Sequence, residues 1–315
     1  MSAYFASLNV LKLFRNMPGG ISQGLIWGIM ALGIYITFRL LDVADLTVDG
    51  SFTTGGAVTV MLILGGWPAW AALLIAVIAG MLAGLVTGLL HTKLGIPAIL
   101  AGILTQLSLY SINLAIMEFK ANQGINVTKY ALIVSQRNVR TEGLGNPIFI
   151  VLLILALLIG VLYWFFGTEL GSALRATGAN EAMSRAQGIN TNRAKILGLM
   201  ISNGIVALSS ALLSHYQGFV DVNMGRGAIV IGLAAVIISE VMFGKLFRNF
   251  ALKLTGVALG AVLYYIVIQI VLWLGLNTNL LKLLSALIVA VFLGIPYWKA
   301  HFSVNRAGKG GRKHA

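Results

Sequence analysis

PIFIVLLILALLIGVLYWFFGTELGSALRATGANEAMSRAQGINTNRAK, Pro147 to Lys195, joins an unbroken apolar run to a long polar segment. A helix rises about 1.5 Å per residue, so a hydrocarbon core of roughly 30 Å takes about 20 residues to cross, and Pro147 to Phe166 has that length and composition. The segment that follows, Glu169 to Lys195, carries the bases Arg175, Arg185, Arg193 and Lys195 against the acids Glu169 and Glu181. Most of it is good helix-forming sequence, punctuated at Gly171, Gly178 and Gly188. The next apolar run begins at Ile196. A polar insertion of this size between two membrane spans is placed to touch something outside the bilayer.

The rest of the chain agrees with that reading. Of 315 residues 58% are hydrophobic and only 10% charged, with a mean hydropathy of +0.92, whereas soluble domains carry roughly 25% charged residues. Cutting the chain by span length predicts an all-α polytopic transmembrane helical bundle of about nine spans, eight to ten. The spans are Ile21 to Phe38, Leu46 to Leu64, Ala69 to Leu90, Ile96 to Met117, Pro147 to Phe166, Ile196 to Leu213, Gly227 to Phe243, Leu254 to Leu274 and Leu283 to Tyr297. The second is expected to be discontinuous, because Asp49 and a Gly-rich stretch fall inside it. Residues 1–20 form an N-terminal segment with no cleavable signal pattern. Residues 21–298 form the transmembrane domain, with polar loops at 118–146 and 167–195, and 299–315 form a basic tail.

Orientation follows from where Lys and Arg collect. Fourteen of the 22 bases fall on the side of the 167–195 loop, which makes that loop and the tail cytoplasmic and puts the N-terminus and the 118–146 loop outside. The net charge of +13 flanks spans instead of forming one stripe with interleaved aromatics, so anionic lipid headgroups, not nucleic acid, are the expected partner of these bases. With no cysteine there are no disulfides or thiol chemistry, and the four histidines show no i, i+4 spacing, so no metal site is expected.

Polar groups at membrane depth are costly and therefore informative. The stretch LDVADLTVDGSFTTGGAV sets Asp42, Asp45 and Asp49 ahead of Ser51, Thr53, Thr54, Gly55 and Gly56. It reads either as a broken helix bordering a translocation path or as an interfacial turn with Asp42 and Asp45 among headgroups and Asp49 capping the following helix. A second polar patch, HYQGFVDVNMGRGAIV, brings Asp221 and Asn223 to the seventh span. With Gln106 and Asn113 of the fourth span, the residues Asp49, Ser51, Thr53, Thr54, Asp221 and Asn223 are the candidates for the path. Gln106, Ser108, Asn113, Asn203 and Gln269 are equally suited to hydrogen bonding between helices, and the Gly80, Gly84, Gly88 series marks a close helix contact. Glu240 reads as an interfacial acid near Lys245 or a contact to a cytoplasmic partner.

The chain has no phosphate-binding loop of the Gly-x-x-x-x-Gly-Lys-Ser/Thr type, so ATP-driven work needs a separate subunit. A Gly-x-Ser-x-Gly match at Gly20 to Gly24 has no strand before it. It leaves only a remote alternative, an intramembrane serine hydrolase pairing Ser22 with His215 or His91. A second alternative is a proton-coupled secondary transporter using Asp49 or Asp221.

The run Glu181-Ala182-Met183-Ser184-Arg185-Ala186-Gln187-Gly188-Ile189-Asn190 resembles the Glu-Ala-Ala…Gly loop of ABC importer permeases, with Met183 in place of the motif's second alanine. Asp45-Leu46-Thr47-Val48-Asp49-Gly50-Ser51-Phe52 is similar to the corresponding motif in permeases of the branched-chain amino acid and ribose type, and within that superfamily the chain is most similar to putative tryptophan/tyrosine transport permeases. The resemblance implies a multi-pass permease of a prokaryotic cell membrane (inner or plasma membrane) that moves a small solute, an amino acid or similar molecule, inward by alternating access and is not itself an enzyme. It implies a homodimer, two copies of an ABC ATPase subunit and an extracytoplasmic substrate-binding protein. ATP and magnesium are used by the ATPase, and this chain binds no cofactor. It implies too that Gly171, Arg175, Gly178, Asn180, Glu181, Ala182, Arg185, Gly188 and Asn190 form a coupling helix and its flanks, on which Ala176, Ala179, Ala182 and Ala186 give a small-residue face.

Overall fold

A computed structural model describes residues 10–140, 143, 145–244, 246–275 and scattered positions between 280 and 294. The ninth predicted span falls largely outside these residues, and the basic tail and Lys245 lie wholly outside them. Among the described residues six helices are long and apolar enough to cross a membrane, and two shorter apolar helices, Val48–Leu64 and Ala228–Phe243, accompany them.

In chain order the elements are α1 (Val10–Tyr35), running into a π-helical turn at Ile36–Leu40, then α2 (Val48–Leu64), α3 (Ala69–Thr92) and α4 (Ala98–Ile116). After β1 (Asn122–Gly124) and a 3-10 turn at Gln136–Arg140 come α5 (Pro147–Gly167), α6 (Glu169–Ala179), α7 (Glu181–Ala186) and α8 (Thr191–Gln217). The described chain closes with β2 (Phe219–Asp221), α9 (Ala228–Phe243) and α10 (Phe250–Trp273). The first helix begins at Val10, not Ile21, so half of the expected N-terminal segment belongs to the bundle. Pro18 is accommodated inside it, where the Pro18 carbonyl accepts the Ser22 hydroxyl at 2.9 Å.

The bundle is organised around α8, which packs on α1, α2 and α3. Its apolar window is 72% buried, against 17% for α5, which has the highest hydropathy of the six candidate spans. The cause is side-chain size. Helices in lipid gain little by hiding apolar surface from one another, so close packing and hydrogen bonds decide which of them meet. Gly80, Gly84 and Gly88 of α3 lie against Asn203 and Ala207, Leu199 and Met200, and Ile196 of α8, while Gly55 of α2 lies on the Ala207 backbone. Ser202 and Ser209 donate to the α1 carbonyls of Gly33 and Ile26 at 2.8 and 2.7 Å.

α8 ends at Gly218, whose φ of +80° suits a residue without a side chain. The chain then pairs with the loop after α4, Asn122 opposite Asp221 and Gly124 opposite Phe219, in a two-stranded antiparallel ribbon. This ribbon, α1's beginning and α8's end share one face of the bundle, since the Tyr216 hydroxyl reaches the Gly19 carbonyl at 3.4 Å. The polar helices α6 and α7 are at the other face.

The second span is a single continuous helix, and this corrects its expected discontinuity. The break comes before it, over residues 41–47, where Asp45 Oδ1 accepts the Thr47 amide at 2.9 Å. Gly55 and Gly56 remain helical because their missing side chains let α2 rest on Ala207, Ser210 and Ser214 of α8.

Candidate functional site

Two polar constellations stand out, one in the 167–195 loop at one end of the bundle and one inside it. In the loop, three caps divide residues 167–195 into separate helices. The amides of Gly171, Met183 and Arg193 donate to the side chains of Thr168, Asn180 and Asn190 at 3.3, 3.0 and 3.1 Å, starting α6, α7 and α8 respectively. Asn180, at φ −159° and ψ 103°, breaks the helix, so the predicted alanine face is split, with Ala176 and Ala179 on α6 and Ala182 and Ala186 on α7.

Glu181 braces this unit. Its carboxylate takes Arg185 Nη2 at 2.6 Å and Lys195 Nζ at 2.8 Å, and Arg185 Nε donates to Thr191 Oγ1 at 2.9 Å. The short helix is thereby tied to the first turn of the central helix α8. The Lys195 hydrogen bond, aided by the charges of Lys195 and Arg185, holds the Glu181 carboxyl below its ordinary value of 4.5. A depressed carboxylate contributes order that is present above its unfolded pKa and lost as pH falls through the folded one. Protection of amides 181–190, taken relative to their intrinsic exchange rate at each pH, is therefore expected to hold from neutral pH down to the ordinary carboxylate range and to be lost as pH falls through the lowered Glu181 pKa. Glu181→Gln should lack that protection already at neutral pH, and equal protection in both proteins would remove the brace.

The other predicted loop residues divide by direction. Gly171 is pressed on the Phe165 and Phe166 backbone and Gly178 on the carbonyl of Leu40, while Arg175 Nη2 donates to the Phe166 carbonyl at 2.7 Å. These three tie α6 to the bundle. Ala182, Met183, Arg185, Ala186 and Gly188 are exposed, with Ser184 turned inward. Gly188, at φ +83° with open space around it, makes the left-handed turn that leads from α7 towards α8. A cleft of about 510 Å³ opens beside α7, lined in part by Asp42, His91, Asn180, Glu181 and Lys195.

Inside the bundle, Asp49 does not cap its own helix. Its Oδ2 accepts the Gly227 amide at 2.9 Å and its Oδ1 the Ile229 amide at 3.0 Å, so it closes the N-terminus of α9. Such an end exposes unpaired N–H groups and partial positive charge, and a carboxylate answers both. Thr53 Oγ1 accepts the Gly225 amide at 3.2 Å beside it. The two polar stretches singled out in the sequence thus meet each other.

One turn away lies a second buried set. Asp45, 3% exposed, accepts Asn203 Nδ2 at 2.7 Å on Oδ2, and Asn203 Oδ1 accepts the Ser51 hydroxyl at 2.6 Å. A chain of hydroxyls, Thr47 to Thr87 at 2.6 Å and Thr87 to Thr105 at 2.9 Å, crosses from α2's first turn to α3 and α4. The Thr54 hydroxyl and Asn113 Nδ2 both reach the Gly50 carbonyl, at 3.0 and 3.3 Å. Gln106 stands half-buried beside Gly50, whereas Asp221 accepts the Asn223 amide at 2.7 Å and Asn223 is exposed.

Of the neutral polar groups, Asn113 and Asn203 bond between helices, whereas the Ser108 hydroxyl is exposed and bonds only the Leu104 carbonyl at 2.9 Å. Glu240 pairs with Arg39 Nε at 2.7 Å, and Lys245 lies outside the described residues. Asp45 is interior and not among headgroups, because Thr47 and Asn203 supply the hydrogen bonds water would otherwise give. The role of Thr47, Thr87 and Thr105 is not legible in the sequence, because the three threonines lie on segments far apart in the chain. Ser22 is fully buried, and His91 Nδ1 lies 2.8 Å from the Ile96 carbonyl at the opposite face of the bundle.

Comparison with known proteins agrees with this architecture. Residues 16–295 match the family model described as the permease component of branched-chain amino acid transport systems. The chain is 39% identical over 272 residues to a tyrosine transport system permease protein of Clostridioides difficile, covering 86% of this chain and 88% of that one. It is 34% identical over 275 residues to an uncharacterised protein of Rickettsia prowazekii, covering 87% and 95%. It is 25% identical over 265 residues to a fructose import permease of Bifidobacterium longum, covering 82% and 70%. The apolar helices and these matches make the chain a multi-pass membrane protein, and it belongs to the branched-chain amino acid transport system permease family of ABC importers.

Proposed function

We propose that this chain is the membrane-crossing subunit of an ABC importer for an amino acid, working as a homodimer with two ATPase subunits and an extracytoplasmic substrate-binding protein. The observation that carries the reading is α7, a short exposed helix at the cytoplasmic end held by Glu181 to the first turn of the central helix. A helix presented this way can seat in a groove of a partner and pass its displacement to the spans. On this reading Asn180, Glu181, Ala182, Arg185, Gly188 and Asn190 contact the ATPase, while Gly171, Arg175 and Gly178 transmit the movement. ATP and Mg²⁺ are bound by that partner. The tyrosine transport relative supports an amino acid as substrate, drawn past Asp49, Ser51, Thr53, Thr54, Gln106, Asn113, Asp221 and Asn223. Alternating access moves the solute inward across the cell membrane of a prokaryote.

The test is co-purification. With the ATPase co-expressed, the unaltered chain should retain it through affinity capture in detergent. Ala182→Trp and Glu181→Arg should each lose at least tenfold of the captured ATPase while the permease remains inserted and monodisperse. Undiminished capture by both variants would sink the docking role of α7. Uptake by the purified chain alone, driven by a proton gradient, would favour the secondary transporter instead.

A further inference from the structure

Arg226 has no place in the constellations above, and its position is unusual. α9 spans only 16 residues, about 24 Å, so with its C-terminal end at the cytoplasmic face its N-terminus falls short of the outer edge of a core of roughly 30 Å. Arg226 immediately precedes that N-terminus. Its guanidinium carbon lies 5.6 Å from the centre of the Tyr110 ring. Tyr110 is well inside α4, a helix of 19 residues, and about 18 Å from its cytoplasmic end. A permanent positive charge is therefore held over an aromatic face at membrane depth.

Charges at that depth face protein or a water-filled path, not lipid tails. Arg226 is exposed on the surface of the single chain, and among the described residues it makes no ion pair. Asp49, which bonds the residue after Arg226, has both oxygens engaged by the Gly227 and Ile229 amides. The exposed side of α4 beside it is mixed, with Gln106 half-exposed and Ser111 exposed alongside Leu107 and Ile112. The same lipid-crossing length in α5 presents only apolar and aromatic side chains between Pro147 and Phe166. A guanidinium on an aromatic platform is suited to a planar carboxylate.

We infer that Arg226 receives the carboxylate of the transported amino acid, with the Tyr110 ring holding the guanidinium in place. The inference rests on the importer reading given above. Arg226 is then a binding group within the path, and the solute class it selects is one bearing a free carboxylate.

The naturally cysteine-free chain gives a direct test in proteoliposomes holding the whole importer. Wild-type ATP-dependent amino acid uptake is measured first, and its absence would sink the importer reading itself. Given that uptake, Arg226→Gln is expected to lower it tenfold or more, and Arg226→Lys to lower it less. Arg226→Cys should react with water-soluble thiol reagents, more slowly when amino acid is saturating. Aminoethyl methanethiosulfonate, which restores a positive charge, should recover uptake, and methyl methanethiosulfonate should not. The inference is overturned if Arg226→Gln transports at the wild-type rate. It is equally overturned if the thiol at 226 is unreactive while an external control, Phe119→Cys, is labelled, because position 226 would then lie in lipid.

Discussion

Gly84→Leu is expected to remove the folded protein from the membrane, leaving little or no monodisperse chain on extraction. A side chain at Gly84 would run into the carbonyl of Leu199 and the Cα of Met200, and the neighbouring Gly80 meets the Asn203 carbonyl in the same way. The obstacle is backbone, which cannot rotate aside as a side chain would, so α3 must withdraw from α8. Overpacking a core costs typically 1–3 kcal/mol even where side chains can yield, and here about 3 kcal/mol or more is expected because they cannot. The displacement would also open the Thr47–Thr87 bond at 2.6 Å, which depends on α3 being close. Gly160→Leu in α5 is the matched control, since nothing lies within 4 Å of the added atom. Fluorescence-detected size exclusion and thermal stability in detergent should show Gly160→Leu unchanged and Gly84→Leu collapsed. Equal behaviour would mean the two helices are not in backbone contact.

That contact was readable because it is a local pattern: three glycines at four-residue spacing on one helix face can only serve a close neighbour. The existence of the helices was readable for the same reason, each being a run of apolar residues of membrane length. The polar loop was readable as helix-forming sequence, but its breaks were expected at Gly171, Gly178 and Gly188, whereas Gly171 and Gly178 lie inside α6 and the divisions fall at the caps Thr168, Asn180 and Asn190. What the sequence withheld was the partner of each polar group. Asp49, in the first turn of α2, looks like a residue serving its own helix, yet its acceptors serve Gly227 and Ile229, about 180 positions away. The break before α2 was misplaced by several residues because Gly55 and Gly56 weaken a helix in isolation, and only contact with α8 shows why they are there. The ribbon of Asn122–Gly124 with Phe219–Asp221 has strands too short to display any alternation. Arg226 was visible as a residue but not as an anomaly, because its depth depends on where α9 begins.

Asp49→Ala is expected to be the most damaging single change in the polar interior. Both carboxylate oxygens accept backbone amides at the start of α9, at 2.9 and 3.0 Å. Hydrogen bonds to a charged group contribute about 1.5–3 kcal/mol each, so the loss should be on the order of 3–5 kcal/mol. Asp49→Asn keeps one acceptor oxygen but turns an NH₂ toward the second amide, so it should fall between wild type and alanine. The order Asp, Asn, Ala in melting temperature identifies a helix cap. A residue that carries a coupling proton gives a different signature: asparagine would leave stability near wild type and abolish only gradient-driven uptake. Measuring stability and uptake on the same three proteins separates the two roles. The cap predicts that the two quantities fall together, because α2 and α9 meet through this carboxylate and through the Gly225 amide on Thr53 at 3.2 Å. Those same two helices flank Arg226, so an uncapped α9 would also shift the guanidinium off Tyr110. The uptake defect of Asp49→Ala should therefore include the defect of Arg226→Gln, and the double variant should transport no less than Asp49→Ala alone.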